Sequence, residues 1–325
     1  MSDYNVKIYK VNDKTKWNNF ALKSNQDTFL FQRDFMDYHS HIFVDYSLLI
    51  YDDKKLIALL PANRVGENLY SHQGLTYGGL ITDNLIKTTA IINVFKAVLE
   101  FLNTNGIKRI TLKELPSIYL QNPTNNALAY LLFRTQAKLM RTDLHSVLEL
   151  TDNTYSNSRK KGIKRGEKSN LRVEEVQDFD LFWNTILIAN LSSKHGVKPV
   201  HSLEEITLLK SQFKNNIRQF NVFKDQTIVA GTTIFETEHV AHCQYISGNA
   251  DKNTLGSLDF LHHHLIKTVF KDKQYYDFGT SNINAGQQIN EGLLYWKEGF
   301  GARSVAQGFY EIETENYKLL DAIFV

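Results

Sequence analysis

One cysteine, Cys243, stands in 325 residues, so no disulfide can close within the chain, and the composition fits a reducing compartment. Charge of one sign is lacking too. The 37 lysines and arginines face 35 acids for a net +2, so affinity for nucleic acid has to come from a local patch. No apolar run nears the ~20 residues that span a bilayer. The opening "MSDYNVKIYKVNDK" alternates and carries charge where a signal peptide needs an apolar core. These absences lead us to expect a soluble, cytoplasmic protein.

Several catalytic fingerprints are missing as well. There is no Gly-x-Ser-x-Gly elbow, and "GLTYGG" has neither the lysine nor the spacing of a Walker or dinucleotide loop. Eleven histidines invite a metal reading, but their placement argues against it. His262, His263 and His264 are consecutive on a predicted helix and diverge by about 100° each. His239 and His242 fall on opposite faces of a predicted strand. We therefore expect no metal, and histidines that serve as polar edges of helix and sheet.

What is present is 42% hydrophobic and 22% charged residues over a length that exceeds one ordinary core. The pattern predicts an α/β protein of two similar halves, 1–150 and 151–325. The first half opens with a strand in "NVKIYKV" and two short helical stretches. Strands in "IFVDYSLLIY" and "LIALLPANR" flank "DDKK" as a hairpin. A third strand at "NLYSH" leads to the helical period of 84–106, which stops at Gly106. A strand at 107–115, a helix at 125–136 and a long closing strand at 137–150 complete the half.

The second half repeats the order. Helices are predicted over 154–170, over 178–196 entered through Asp178, and over 202–216 with Ser202 and Glu205 spaced as a capping box. A hairpin turning at "KDQ", a strand at 239–247, a helix at 257–270, a strand at 274–279, a helix at 289–300 and a closing strand at 302–313 follow. The hairpin turns at Asp52 and Asp225 lie 173 positions apart (225 − 52).

Candidate site residues cluster in the second half. "RKKGIKRGEKSNLR", 159–172, holds seven cations against one anion. Such a run is either a solvated face or an anion site for phosphates, in which Arg159, Lys160, Lys164 and Arg165 would bind. Gly162 and Gly166 would admit a close backbone approach. Gly256 and Ser257 open a helix whose amides can hold a phosphate or carboxylate. The polar loop after "YYDFG" brings Ser281 to a strand C-terminus, where ligands of α/β sheets gather, and Asn290 stands before the last helix. His195, Lys198 and His201 share a loop that can wall an acceptor, and a neutral histidine there can accept an amine proton. Tyr245 can donate to a leaving group or simply pack with its hydroxyl bonded. Asp277 can orient an amine or cap its loop. Lys297, between Trp296 and the Gly299/Gly301 turn, can stack and cap the helix, or bind a developing oxyanion or donor phosphate.

The repeated order helix, helix, hairpin, strand, helix, strand, helix, strand resembles the GNAT acyltransferase fold, and two tandem copies resemble the FemAB family. "SRKKGIKRGEKSNLRVEEV" looks like that family's basic helix and following strand. "YYDFGTSN" looks like its D-F-G-G segment, and "INEGLLYWKEGFGAR" like its closing G-L-x-x-F-K-x-x-F-G signature. The "HGVKPVHSLEEI" loop also fits. The resemblance implies two GNAT-like units with mixed sheets. It further implies an acyl- or aminoacyl-transferase acting on an amino group of a peptidoglycan or sugar precursor of the cell envelope. The donor would be acyl-CoA or aminoacyl-tRNA, making tRNA a partner, and the lysine of the closing signature, here Lys297, would stabilise charge in the reaction. Gly162 breaks the basic-helix pattern, "GTSN" lacks the second glycine, and "NADKNTLGSL" departs from the usual coenzyme-A pyrophosphate loop. A CoA-dependent small-molecule N-acetyltransferase and a non-catalytic binding module are the alternatives.

Overall fold

A computed structural model of the chain describes residues 4–151, 154–195 and 198–325. The chain divides into two compact units, Met1–Asp143 with Ala306–Val325, and Leu144–Val305.

In the first unit, Tyr4–Ile8, Leu48–Asp52, Lys55–Leu60 and Ile81–Thr82 pair antiparallel in that order. A second set begins with Asn63–Val65 antiparallel to Asn68–Tyr70. Asn68–Tyr70 then runs parallel to Arg109–Lys113, which pairs antiparallel with residues 309–313. The Thr88–Thr104 helix buries Ile91, Phe95, Val98 and Leu102 at the three-to-four spacing of one helical face. It stops where Gly106 takes φ +75°, a conformation glycine adopts without a Cβ clash. These side chains join Leu48, Ile50, Leu60 and Ile110 in one apolar core.

The second unit repeats the scheme. Arg172–Val176, Ile217–Lys224, Thr227–Glu236 and Val240–Gly248 form an antiparallel meander. Tyr275–Thr280 lies parallel to Val240–Gly248, and residues 145–149 pair antiparallel with Tyr275–Thr280. The hairpin turns correspond: Asp53 has φ +50° and Asp225 φ +53°, a left-handed conformation that aspartate tolerates better than most residues. Ser202 accepts from the Glu205 amide while Glu205 reaches back to the Ser202 N–H, so the capping box forms as its spacing implies. Asp178 does not start its helix. The helix begins at Asp180 after Phe179, and Phe179, Phe182 and Trp183 are buried, so core packing sets the start.

The closing strands are exchanged relative to sequence order. The 137–150 strand was expected to close the first half and the 302–313 strand the second. Instead residues 145–149 close the second unit and residues 309–313 the first. Lys138–Glu149 has 12 residues and Arg303–Glu313 has 11, about twice what one sheet edge requires, so each has length to leave its sequence neighbours.

The basic stretch forms the Asn157–Lys168 helix, capped by Ser156. Its glycines serve helix packing rather than ligand approach. A Cβ on Gly162 would fall 1.6 Å from Asp259 Oδ2, and one on Gly166 would fall 2.5 Å from the Phe260 Cβ. Side chains of the Ser257–His264 helix fill the space both glycines leave.

Candidate active site

In the second unit, Val240–Gly248 and Tyr275–Thr280 stay paired for three residues, Val240↔Tyr275, Ala241↔Tyr276 and His242↔Asp277. Beyond that the strands separate. Gln244 is an extra residue on one side, where the ladder with Thr227–Glu236 slips between Thr233 and Ile234. On the other, the ladder with residues 145–149 slips between Asp277 and Thr280, around Gly279 at φ +71°. Bulges end pairing and re-aim side chains. His242 and Asp277 therefore sit at the crotch of a fork, and among the described residues the inner edge of 243–248 pairs with no further strand.

Asp277 is fully buried. Its Oδ2 meets His145 Nδ1 at 3.0 Å and His242 Nδ1 at 2.9 Å, and its Oδ1 accepts from the Gly279 amide at 2.7 Å. Burial pushes the Asp277 carboxyl upward, but the two imidazoles outweigh it and hold the group well below the usual carboxylate range. An ionised carboxylate only accepts hydrogen bonds, so both Nδ1 atoms carry protons. Where a ring is neutral, its lone pair then stands on Nε2. A carboxylate that fixes a tautomer in this way makes an imidazole a competent proton acceptor. Three ligand-type atoms, one from each of His145, His242 and Asp277, lie within 4.8 Å of one another.

Lys297, on the Glu291–Glu298 helix, is 2% exposed. Its ammonium donates to the carbonyls of Gly279 and Thr280, each at 2.8 Å. Burial lowers it to about 8 against the pull of the Asp277 charge. The lysine clasps the strand end that bends away at the fork. Asn290 caps the same helix by accepting from the Leu293 amide at 3.0 Å, and its own amide donates to the Ser281 carbonyl. Ser281 is buried and its hydroxyl has no hydrogen-bond partner among the described residues.

Tyr245 and His201 come together. The His201 amide donates to the Tyr245 hydroxyl oxygen at 3.1 Å, and His201 Nδ1 lies 2.7 Å from the same oxygen. Burial pushes the Tyr245 phenol up to about 12, so it keeps its proton. Lys198 is exposed, while His195 ends the Ile188–His195 helix with a side chain outside the described residues.

Lys160, Lys164 and Arg165 are exposed, but Arg159 turns inward to pair with Asp259, which also accepts from Trp296 Nε1 at 2.8 Å. Gly256, at φ +69°, lies against the Gly162 carbonyl, and Ser257 is fully buried. The basic residues and the fork are thus separate features of one unit, joined through the Arg159–Asp259–Trp296 contacts beside Lys297.

No family model matches the sequence, and no curated protein does. Solved structures do. FemX covers 98% of this chain and 99% of its own, with TM-score 0.67 at 9% identity. Its fold is this fold. A C-terminal domain assigned to a lysylphosphatidylglycerol synthetase of Agrobacterium fabrum covers 93% of this chain and 91% of its own at TM-score 0.60 and 11% identity. A tandem GNAT protein from the clavulanic acid biosynthesis pathway covers 96% and 99% at TM-score 0.50 and 10% identity. The α/β chain with mixed sheets has the FemAB-like tandem GNAT fold. At these identities the likeness is one of fold.

On this FemX-like fold Asp277, a candidate from the sequence, meets two imidazoles that the sequence does not mark. His242, expected at a polar sheet edge, is only 8% exposed, and His145 is buried within a closing strand. His145 lies 132 positions before Asp277 and pairs near it only because the closing strands are exchanged. His262, also expected at a polar edge, is fully buried among Tyr276, Phe278, Trp296 and Phe300. Burial and the nearby Lys297 charge depress it to about 3, so it stays neutral. No sequence signal separates these histidines from surface ones, since each stands amid ordinary strand or helix periodicity.

Proposed function

We propose that the protein is an acyl- or aminoacyl-transferase that moves an activated acyl group from aminoacyl-tRNA or acyl-CoA to an amino group of a cell-envelope precursor. The observation that carries this reading is the fork, where a buried carboxylate fixes two imidazoles at the point where parallel strands part. Binding at the C-terminal ends of such strands is the common habit of α/β sheets. The tandem GNAT fold supports the reaction class, and the name of the lysylphosphatidylglycerol synthetase neighbour supports an envelope acceptor. The two tandem copies belong to the same proposal, with the bounds of the compact units, Met1–Asp143 with Ala306–Val325 and Leu144–Val305, in place of 1–150 and 151–325.

His242 accepts the proton of the attacking amine at Nε2, and Asp277 and His145 position it. As the amine nitrogen bonds to the acyl carbon, the carbonyl oxygen becomes an oxyanion, which the unclaimed backbone donors on the 243–248 edge stabilise. Collapse breaks the bond from the acyl carbon to the ester oxygen or thioester sulfur. The leaving group takes a proton, with Tyr245, kept protonated and held by His201, as the donor. Lys297 holds the Gly279–Thr280 backbone so that the fork stays open, and its charge lies near the reacting centre. Lys160, Lys164 and Arg165, with Arg159 behind them, attract the phosphates of the donor. Gly256 and Ser257 shape that end of the site, and Ser281, Asn290, Lys198 and His201 line the acceptor side; the side chain of His195, proposed for the same role, lies outside the described residues.

The test is a panel of charged tRNAs and acyl-CoAs with amine acceptors, read by mass spectrometry of the products. Turnover with one donor class, lost in His242→Gln, supports the reading. Turnover unchanged in His242→Gln removes the base, and no turnover with any pair favours a binding module on this fold.

A further inference from the structure

Beyond a base, the same three side chains make a ligand set. Two imidazole nitrogens and one carboxylate oxygen are a common donor set for Zn2+, and three protein ligands leave the fourth position to water. In a tetrahedral zinc site, bonds of 2.0–2.2 Å put ligand atoms about 3.3 Å apart. The Nδ1–Oδ2 separations here are 3.0 and 2.9 Å, a few tenths of an ångström short of that spacing, and the three ligand-type atoms lie within 4.8 Å of one another. All three residues sit on neighbouring strands whose register fixes them, His242 opposite Asp277 and His145 opposite Thr280. The Asp277 charge is fully buried, a setting in which a cation is favoured over neutral hydrogen-bond donors.

We propose that the His145–His242–Asp277 cluster binds Zn2+ and that filling it switches the base off. The inference rests on the assignment of His242 as proton acceptor. Without metal, each Nδ1–H donates to Asp277 and each Nε2 holds the lone pair. To bind zinc through Nδ1, each ring gives its lone pair there and carries its proton on Nε2. Nothing is oxidised or reduced and no proton leaves the rings; the protons change nitrogen. His242 Nε2 thereby turns from acceptor to donor and can no longer take a proton from an amine. Asp277 becomes a ligand and ceases to fix the catalytic tautomer.

The experiment uses the full chain and Zn2+ alone, titrated against a competing fluorescent chelator, with the imidazole nitrogens followed by 15N NMR. One zinc per chain is expected, with His145 and His242 moving from the Nδ1–H to the Nε2–H tautomer. His145→Gln keeps an amide that can donate to Asp277 but removes a ligand, so it weakens zinc binding by at least about 100-fold, since losing even an outer-shell partner costs about 10–100-fold. Circular dichroism checks that the variant folds. Where a donor–acceptor pair turns over, stoichiometric zinc stops it and EDTA restores it. Absence of zinc binding, or binding unchanged in His145→Gln, overturns the site. Zinc that bound with the tautomer change while turnover continued would overturn the switch and place the failure in the base assignment. An unaltered tautomer with bound zinc would place the ion elsewhere and refute the proposal.

Discussion

Replacing Lys297 with methionine keeps the length and apolar stem of the side chain and deletes the ammonium. Two hydrogen bonds at 2.8 Å to the Gly279 and Thr280 carbonyls are lost. Bonds to a charged donor contribute about 1.5–3 kcal/mol each. Against them stands the cost of burying the charge. The drop from 10.5 to about 8 corresponds to roughly 3 kcal/mol of differential interaction between the two protonation states. The difference leaves Lys297→Met destabilised by about 0–3 kcal/mol at pH 7. The fold survives in this variant, but the strand end at the fork loses its clasp.

The pH dependence is the sharper test. The folded lysine titrates near 8 and the unfolded one near 10.5, so between those values the unfolded chain binds more protons. Stability from this group therefore rises as pH climbs from about 8 to 10.5, by at most about 3 kcal/mol. Methionine has no such limb. Urea denaturation of both proteins at pH 7, 9 and 10.5 measures the difference, in which contributions from other groups cancel. The wild-type advantage should widen with pH across that window. Parallel stability curves for the two proteins would refute the buried-clasp reasoning.

Asp277→Asn removes the acceptor-only carboxylate, so at least one Nδ1 loses its fixed proton; turnover should fall by about 10²–10⁴-fold, with the tautomer change visible by 15N NMR. Triple substitution of Lys160, Lys164 and Arg165 to glutamine should leave thermal stability within about 0.5 kcal/mol while flattening the salt dependence of donor binding, measured by titration at two ionic strengths. Arg159→Gln, by contrast, strands the buried Asp259 carboxylate and should cost about 2–4 kcal/mol in a denaturation assay. Gly162→Ala drives a methyl into Asp259 and should lower stability by about 1–3 kcal/mol, read from the melting temperature.

Local chemistry was legible from the chain alone. The hairpin turns fall at Asp53 and Asp225, the stop lies at Gly106, and the Ser202–Glu205 box forms, because each depends on residues within a few positions of one another. The repeated element order carried the tandem fold for the same reason. Asp277 and Lys297 were marked by the segments around them, but what each does was not, since Lys297 spends its charge on two carbonyls and Asp277 on two distant imidazoles. Strand partners are chosen by packing across the sheet, and a side chain's neighbours follow from that register. The exchange of closing strands brought His145 to Asp277, a bulge at Gln244 opened the fork beside His242, and close helix packing claimed Gly162. These are long-range choices with no local code, and only the folded chain makes them.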